Sequence, residues 1–129
     1  MKQLEERVLI FLEERGWNKL RPSDLAKSIS IEAAELLEIF QWDSVTLEEV
    51  NACPEKLAKL KKELADVLIY ALELSVLMKL DTKQIILEKL DHADKKYPAE
   101  VFIKFKDSDE KGNSEYLQIK EEYRRQGLS

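Results

Sequence analysis

Four carboxylates are the residues here whose type and spacing could do chemistry. Glu32 and Glu35 stand three residues apart, Glu63 and Asp66 do the same, and 27 residues separate the two pairs. A spacing of three keeps both members of a pair on one side of a helix. Glu32-x-x-Glu35 alone carries little, because such pairs recur on solvated helix faces. The second pair says more. Glu63 and Asp66 share a strip of the helical wheel with Tyr70, Leu74 and Leu77, so both acids interrupt an apolar stripe. Burying an ionised carboxylate without a partner costs on the order of several kcal/mol. Around the first pair, Lys27 is the only basic residue between Asp24 and Trp42. A bound cation answers the difficulty, and an all-oxygen ligand set favours a hard one, Mg2+ above Ca2+. The one histidine, His92, has Lys89 three residues before it where a di-iron helical bundle would need Glu. His92 therefore reads as a surface or boundary residue.

The elements that must position these acids are helices. Leu4, Val8, Phe11 and Leu12 recur at helical spacing and the run stops at Gly16. Arg21-Pro22-Ser23-Asp24 then offers a Pro and two capping residues ahead of a second helix. That helix has Ile29, Ala33, Leu36, Leu37 and Phe40 on one face and is expected to reach about Trp42. A polar connector holds a capping-box candidate, Thr46-Leu47-Glu48-Glu49. Pro54 opens a third helix expected to reach about Lys79, roughly 37 Å long at 1.5 Å per residue. Its apolar residues cover more than one stripe, which requires burial on more than one side and points to a second subunit as the other cover. Asp81 is expected to cap a fourth helix with Ile85, Ile86 and Leu90 inward, ending at Tyr97-Pro98. Beyond it come a short apolar run, Val101 to Phe105, a charged loop from Asp107 to Ser114, and a last helix over Glu115–Gln126 stopped by Gly127.

Composition agrees with this reading. The chain has 129 residues, 44% apolar and 36% charged, with three Gly and three Pro, too few for an all-β fold rich in tight turns. Its length suits one domain. Residues 1–98 form the expected core, and residues 99–129 a C-terminal extension belonging to the same domain. A net charge of −5 gives no positive field for a nucleic-acid polymer. Cys53 is the only cysteine, so no internal disulfide can form. The amphipathic N-terminus is unlike a signal peptide, and no run approaches the ~20 apolar residues of a membrane span. The expectation is a cytoplasmic all-α protein that binds neither membrane nor nucleic acid.

The order of these blocks resembles a known family. Glu32-x-x-Glu35 followed by Glu63-x-x-Asp66 looks like the metal-binding signature of the MazG-like all-α nucleoside triphosphate pyrophosphohydrolases. Phe11 to Trp17, Glu35 to Trp42, Glu63 to Tyr70 and Lys95-Lys96-Tyr97-Pro98 resemble its dCTP pyrophosphatase branch, covering about residues 3–98. One departure stands out. The family commonly has Asn four residues before the Tyr of this ending, and here that position is Ala93.

The resemblance implies a bundle of four main helices, assembled as a homodimer or tetramer, that cleaves a triphosphate between its α and β phosphates. Glu32, Glu35, Glu63 and Asp66 would hold Mg2+. Water would be the nucleophile, oriented or deprotonated by Glu35, or by Glu38 one step further round. Lys89 would steady a phosphate; Lys61 and Lys62 could also do so, though the solvated reading is preferred for both. Asp91 or Asp94 could stand in for the missing Asn. Trp17 and Trp42 would stack on the base or else close the bundle ends, and Tyr97 would bind substrate or anchor its helix. A dCTP-like deoxynucleotide is the expected substrate. The competing readings are a non-catalytic helical interaction protein and a nucleotide sensor.

Overall fold

The computed structural model describes residues 1–105 and 108–128. Among them are seven helices and no strand: α1 (Lys2–Glu14), α2 (Pro22–Glu38), α3 (Leu47–Asn51), α4 (Pro54–Leu77), α5 (Thr82–Lys96), α6 (Ala99–Ile103) and α7 (Asp109–Arg125). The backbone divides into two compact units, Met1–Thr82 and Lys83–Ser129.

In the first unit, α1, α2 and α3 all pack on α4. Val8 and Leu12 of α1 are buried against Leu72 of α4, with Phe11, Val76 and Leu77 around them. Leu12 is 0% exposed, the best-covered side chain of this cluster. Leu25 is as deeply buried near the start of α2, a core position the apolar pattern did not single out. The junction of α4 and α5 is polar. Ser75 and Thr82 share a buried hydroxyl hydrogen bond of 2.6 Å, and the Thr82 N–H donates to Glu5 Oε1 at 3.1 Å. Thr82 is thus tied to α1 across 77 residues of sequence.

Chain stops follow a shared geometry. After α1, the Gly16 N–H donates to Glu13 and the Trp17 N–H to Leu12, with Gly16 at φ +68°. This is the Schellman arrangement, in which a left-handed residue lets two final carbonyls find donors. Gly127 closes α7 in the same way. At the end of α4 the same two bonds form around Lys79 at φ 56°, a side-chain-bearing residue in a region that favours Gly. The capping box at Thr46 is present, with Glu49 N–H donating to Thr46 Oγ1 at 3.1 Å and Thr46 N–H to Glu49 Oε2 at 3.4 Å.

Several expected boundaries differ. α2 starts at Pro22, with Arg21 extended before it, because Pro fits the first helical turn and pushes its predecessor out of helical backbone. Ser23 and Asp24 lie inside that turn and do not cap it. α2 ends at Glu38 rather than near Trp42. The tighter turns that follow bring Asp43 to Lys56, 2.6 Å from Oδ2 to Nζ. α7 begins at Asp109, so the expected loop over 107–114 is mostly helix. Asp109 and Glu110 favour a helix N-terminus, which offsets the ~1 kcal/mol cost of Gly112. Asp107, the expected start of that loop, lies outside the described residues. In the second unit, Ile85, Ile86 and Leu90 of α5 are exposed rather than inward. The α5 side chains that meet α7 are instead His92, edge-on to Tyr123, and Lys96 over the Tyr123 ring, so the aromatic contacts select a different face.

One buried charge in α4 stands apart. Glu73 is 4% exposed, has no partner among the described residues, and burial raises its pKa. A raised folded-state value means the folded protein takes up this proton first as pH falls, so stability declines as pH rises through that value. Glu73→Gln should therefore melt above wild type from neutral to mildly alkaline pH, and the gap should narrow on acidification toward the ordinary carboxylate range. Thermal melts across that range check this, and a gap that widens on acidification would contradict it.

Candidate metal and active site

The pairing of α2 with α4 can be followed side chain by side chain. Glu32 meets Glu63 and Asp66, Glu38 shares a cleft with Lys59, and Asp43 pairs with Lys56. Numbers rise along one element as they fall along the other, so the two run antiparallel. On α4, Lys59, Lys62, Glu63, Asp66 and Tyr70 fall within an arc of about 100° on the wheel. A single polar strip therefore faces α2.

Three carboxylates converge in the middle of that strip. One oxygen each from Glu32, Glu63 and Asp66 lies within 4.8 Å of the others, and all three residues are partly buried. Glu32 Oε2 is buried without a hydrogen-bond partner. The pKa of Glu32 is raised, first by a hydrogen bond shared with Glu35, then by burial, then by the charges of Glu35, Asp66 and Glu63. A buried lone pair without a donor is unfavourable, and so are three like charges this close. A hard divalent cation satisfies the first and cancels the second. These residues fit such an ion.

The other expected site residues fall in different places. Glu35 is exposed and reaches the triad through Glu32. Glu38 is also exposed and lines, with Glu35, Ile39, Lys59, Lys62 and Glu63, a cleft of about 520 Å³. Trp17 is half exposed and packs edge-on against Phe11, ring centres 5.9 Å apart. Trp42 is 88% exposed in the turns after α2 and lines neither this cleft nor the adjoining one near Cys53. Lys89, Asp91 and Tyr97 belong to the second unit. Lys89 and Asp91 are exposed there, while Tyr97 stacks on Tyr116 at 4.9 Å and meets Phe102 edge-on.

Two further residues, Tyr70 and Lys59, belong to this site. The Tyr70 hydroxyl has a raised pKa, from burial first and then from Glu32, Glu73, Asp66 and Glu35, so it stays protonated as a donor beside the acids. Lys59 flanks the same cleft. Both had a signal in the sequence, since each shares the wheel strip of Glu63 and Asp66. The acids and the residues lining their cleft include no Ser, Cys or His, so this centre offers no conventional covalent nucleophile.

The chain is similar to known proteins in sequence and in fold. A family model described as MazG-like matches residues 27–111. The chain is similar to dCTP pyrophosphatase 1 of Mus musculus, 38% identical over 90 residues, 68% of this chain and 53% of that protein. Against the Homo sapiens protein of the same name, identity is 34% over 91 residues, 69% of this chain and 54% of that one. The chain thus spans about half the length of these mammalian relatives. A crystal structure of a pyrophosphatase from Archaeoglobus fulgidus DSM 4304 matches with a TM-score of 0.67 and 39% identity, over 76% of this chain and 92% of that one. No helix among the described residues is long and apolar enough to cross a membrane. The family match takes in both acid pairs and the antiparallel helices that bring them together, and the chain belongs to the MazG-like family.

Proposed function

We propose that this protein hydrolyses a nucleoside triphosphate, with a dCTP-like deoxynucleotide favoured, to the monophosphate and pyrophosphate in the cytoplasm. The observation that carries the reading is the convergence of carboxylate oxygens from Glu32, Glu63 and Asp66, with Glu32 Oε2 buried and unpartnered. Relatives named as dCTP pyrophosphatase 1 and a pyrophosphatase add support for the reaction class. Glu32, Glu63 and Asp66 would hold Mg2+, with Glu35 completing the set. When bound, Mg2+ supplies the positive charge that joins an acidic centre to a polyanion and polarises the phosphorus under attack.

The chain's own residues divide the remaining work. Glu35, exposed at the lip of the triad, would orient water and accept its proton, with Glu38 as the alternative base. Tyr70 would donate a hydrogen bond toward the carboxylates and keep them in place. Trp17 offers a face for the base. Trp42 is exposed among the described residues, and an assembled oligomer would cover it. Lys89, Asp91 and Tyr97 keep a substrate-binding role on the family resemblance alone.

The acids decide the matter in two experiments. Pyrophosphate release from a panel of canonical and modified triphosphates should be abolished by Glu63→Gln and by Asp66→Asn, with the protein still folded. Full activity of either variant at saturating Mg2+ would sink the metal assignment. A triphosphate that binds yet is never cleaved would instead favour the sensor reading. In melts without Mg2+, each variant should match or exceed wild type, because losing one charge relieves repulsion, and each should gain less when Mg2+ is added. Ordinary salt-bridge partners would give the opposite sign.

Self-association forms part of the same proposal. Leu64, Leu68 and Ile69 of α4 are exposed, and Ile69 joins Leu4, Arg7, Val8 and Phe11 around an apolar groove of about 320 Å³. A homodimer, or a tetramer of dimers, with α4 in the interface would cover them. Sedimentation at micromolar concentration should show an oligomer, and a stable monomer would count against it.

A further inference from the structure

The cleft beside the triad carries two cations that the metal assignment does not use. It runs from Glu35 and Glu63 to Lys59 and Lys62, with Glu38 and Ile39 on its α2 wall. Lys62 Nζ lies 3.7 Å from Glu63 Oε1 and Lys59 Nζ 3.7 Å from Glu55 Oε1, and both lysines are largely solvated, Lys62 at 76%. Neither pair is close enough to lock its lysine in place. Exposed pairs of this kind hold a long side chain only weakly. Moreover, a cation bound by Glu63 would cancel the charge that draws Lys62 back.

Direction follows from what lies on either side of the triad. Toward the C-terminus of α4 the strip continues as Tyr70, Leu74 and Leu77, which offer no positive charge. Toward the N-terminus it reaches Lys62 and Lys59, about 1.5 and 6 Å from Glu63 along the helix axis. Lys62 and Lys59 thus set positive charge on this side of the triad, where the rest of a triphosphate with its α-phosphate at the triad would meet it. Ammonium groups bind phosphate as mobile point charges.

We infer that Lys59 and Lys62 form the subsite for the β- and γ-phosphates and hold the pyrophosphate as it leaves. This rests on the pyrophosphohydrolase reading and assigns the end of the substrate that lies in the cleft. In the reaction, water adds to the α-phosphorus, the bond to the bridging oxygen breaks, and pyrophosphate departs with that electron pair. The two ammonium groups balance the charge that accumulates there.

The test uses the full chain with Mg2+ and added inorganic pyrophosphate or nucleoside monophosphate as product inhibitors. Lys59→Ala and Lys62→Ala should each raise KM and weaken pyrophosphate inhibition by about tenfold, equivalent to about 1.4 kcal/mol. Inhibition by the monophosphate should not move. Lys62→Arg should restore most of the loss. Lys2→Ala should behave as wild type, since Lys2 is exposed on α1 and does not line this cleft. The exposure of both lysines means the variants should melt as wild type does. Unchanged pyrophosphate inhibition in both alanine variants would overturn the inference, as would equal weakening for both products. A wild-type protein that releases no pyrophosphate from any triphosphate would instead remove the reading beneath it.

Discussion

Glu32, Glu63 and Asp66 bring three carboxylate oxygens within 4.8 Å of one another across two helices, and like charges at that range push the helices apart. The raised pKa of Glu32 records the strain, since Glu35, burial and both α4 acids all favour its protonated form. Leu at these positions would pack α2 against α4 with less cost. A bound cation would offset that cost, so the pairing that defines the fold is also the least self-sufficient part of it.

Other contacts must hold α2 on α4 in the absence of an ion. At one end Lys56 grips Asp43, with its pKa raised chiefly by that hydrogen bond. A solvent-facing pair contributes little net stability, yet it fixes how far α2 can slide and so which residues face each other. On another side of α4, Val8 and Leu12 clamp Leu72, and Thr82 ties the α4–α5 junction to Glu5. Apolar burial and buried hydrogen bonds thus steady α4 from the α1 side, leaving its α2 side free to carry charge. Pre-organisation of the acids depends on this division.

The helix pattern and the acid pairs were legible because both are local. Periodicity places Leu4, Val8, Phe11 and Leu12 on one face, and Gly16 marks a stop whatever surrounds it. Spacing alone put Glu63 and Asp66 on one strip. The end of α2 was not legible, because Phe40 to Asp43 leave helical geometry to meet Lys56, a contact made only in the folded chain. Nor was the exposure of Ile85, Ile86 and Leu90. Their pattern is that of a core face, but which face of α5 is covered depends on the aromatic contacts of Tyr123 and on partners the pattern cannot name. Tyr70 and Lys59 were visible as members of the acidic strip, but their chemistry emerges only once α2 closes over it.

α4 therefore works as a three-sided element. One side buries Leu72 against α1, one presents the acids, Tyr70 and the lysines to α2, and a third shows Leu64 and Leu68 to solvent. A helix apolar over so much of its circumference is stable only when each apolar stripe is covered. Among the described residues the first stripe is covered and the third is not. Covering the third stripe by self-association would add apolar burial to the helix that bears most of the charge repulsion. That burial needs no ion, whereas relief of the repulsion does. Assembly and metal binding would then be linked through α4: each favours the same packed arrangement of the helix, and either one lowers the cost of the other.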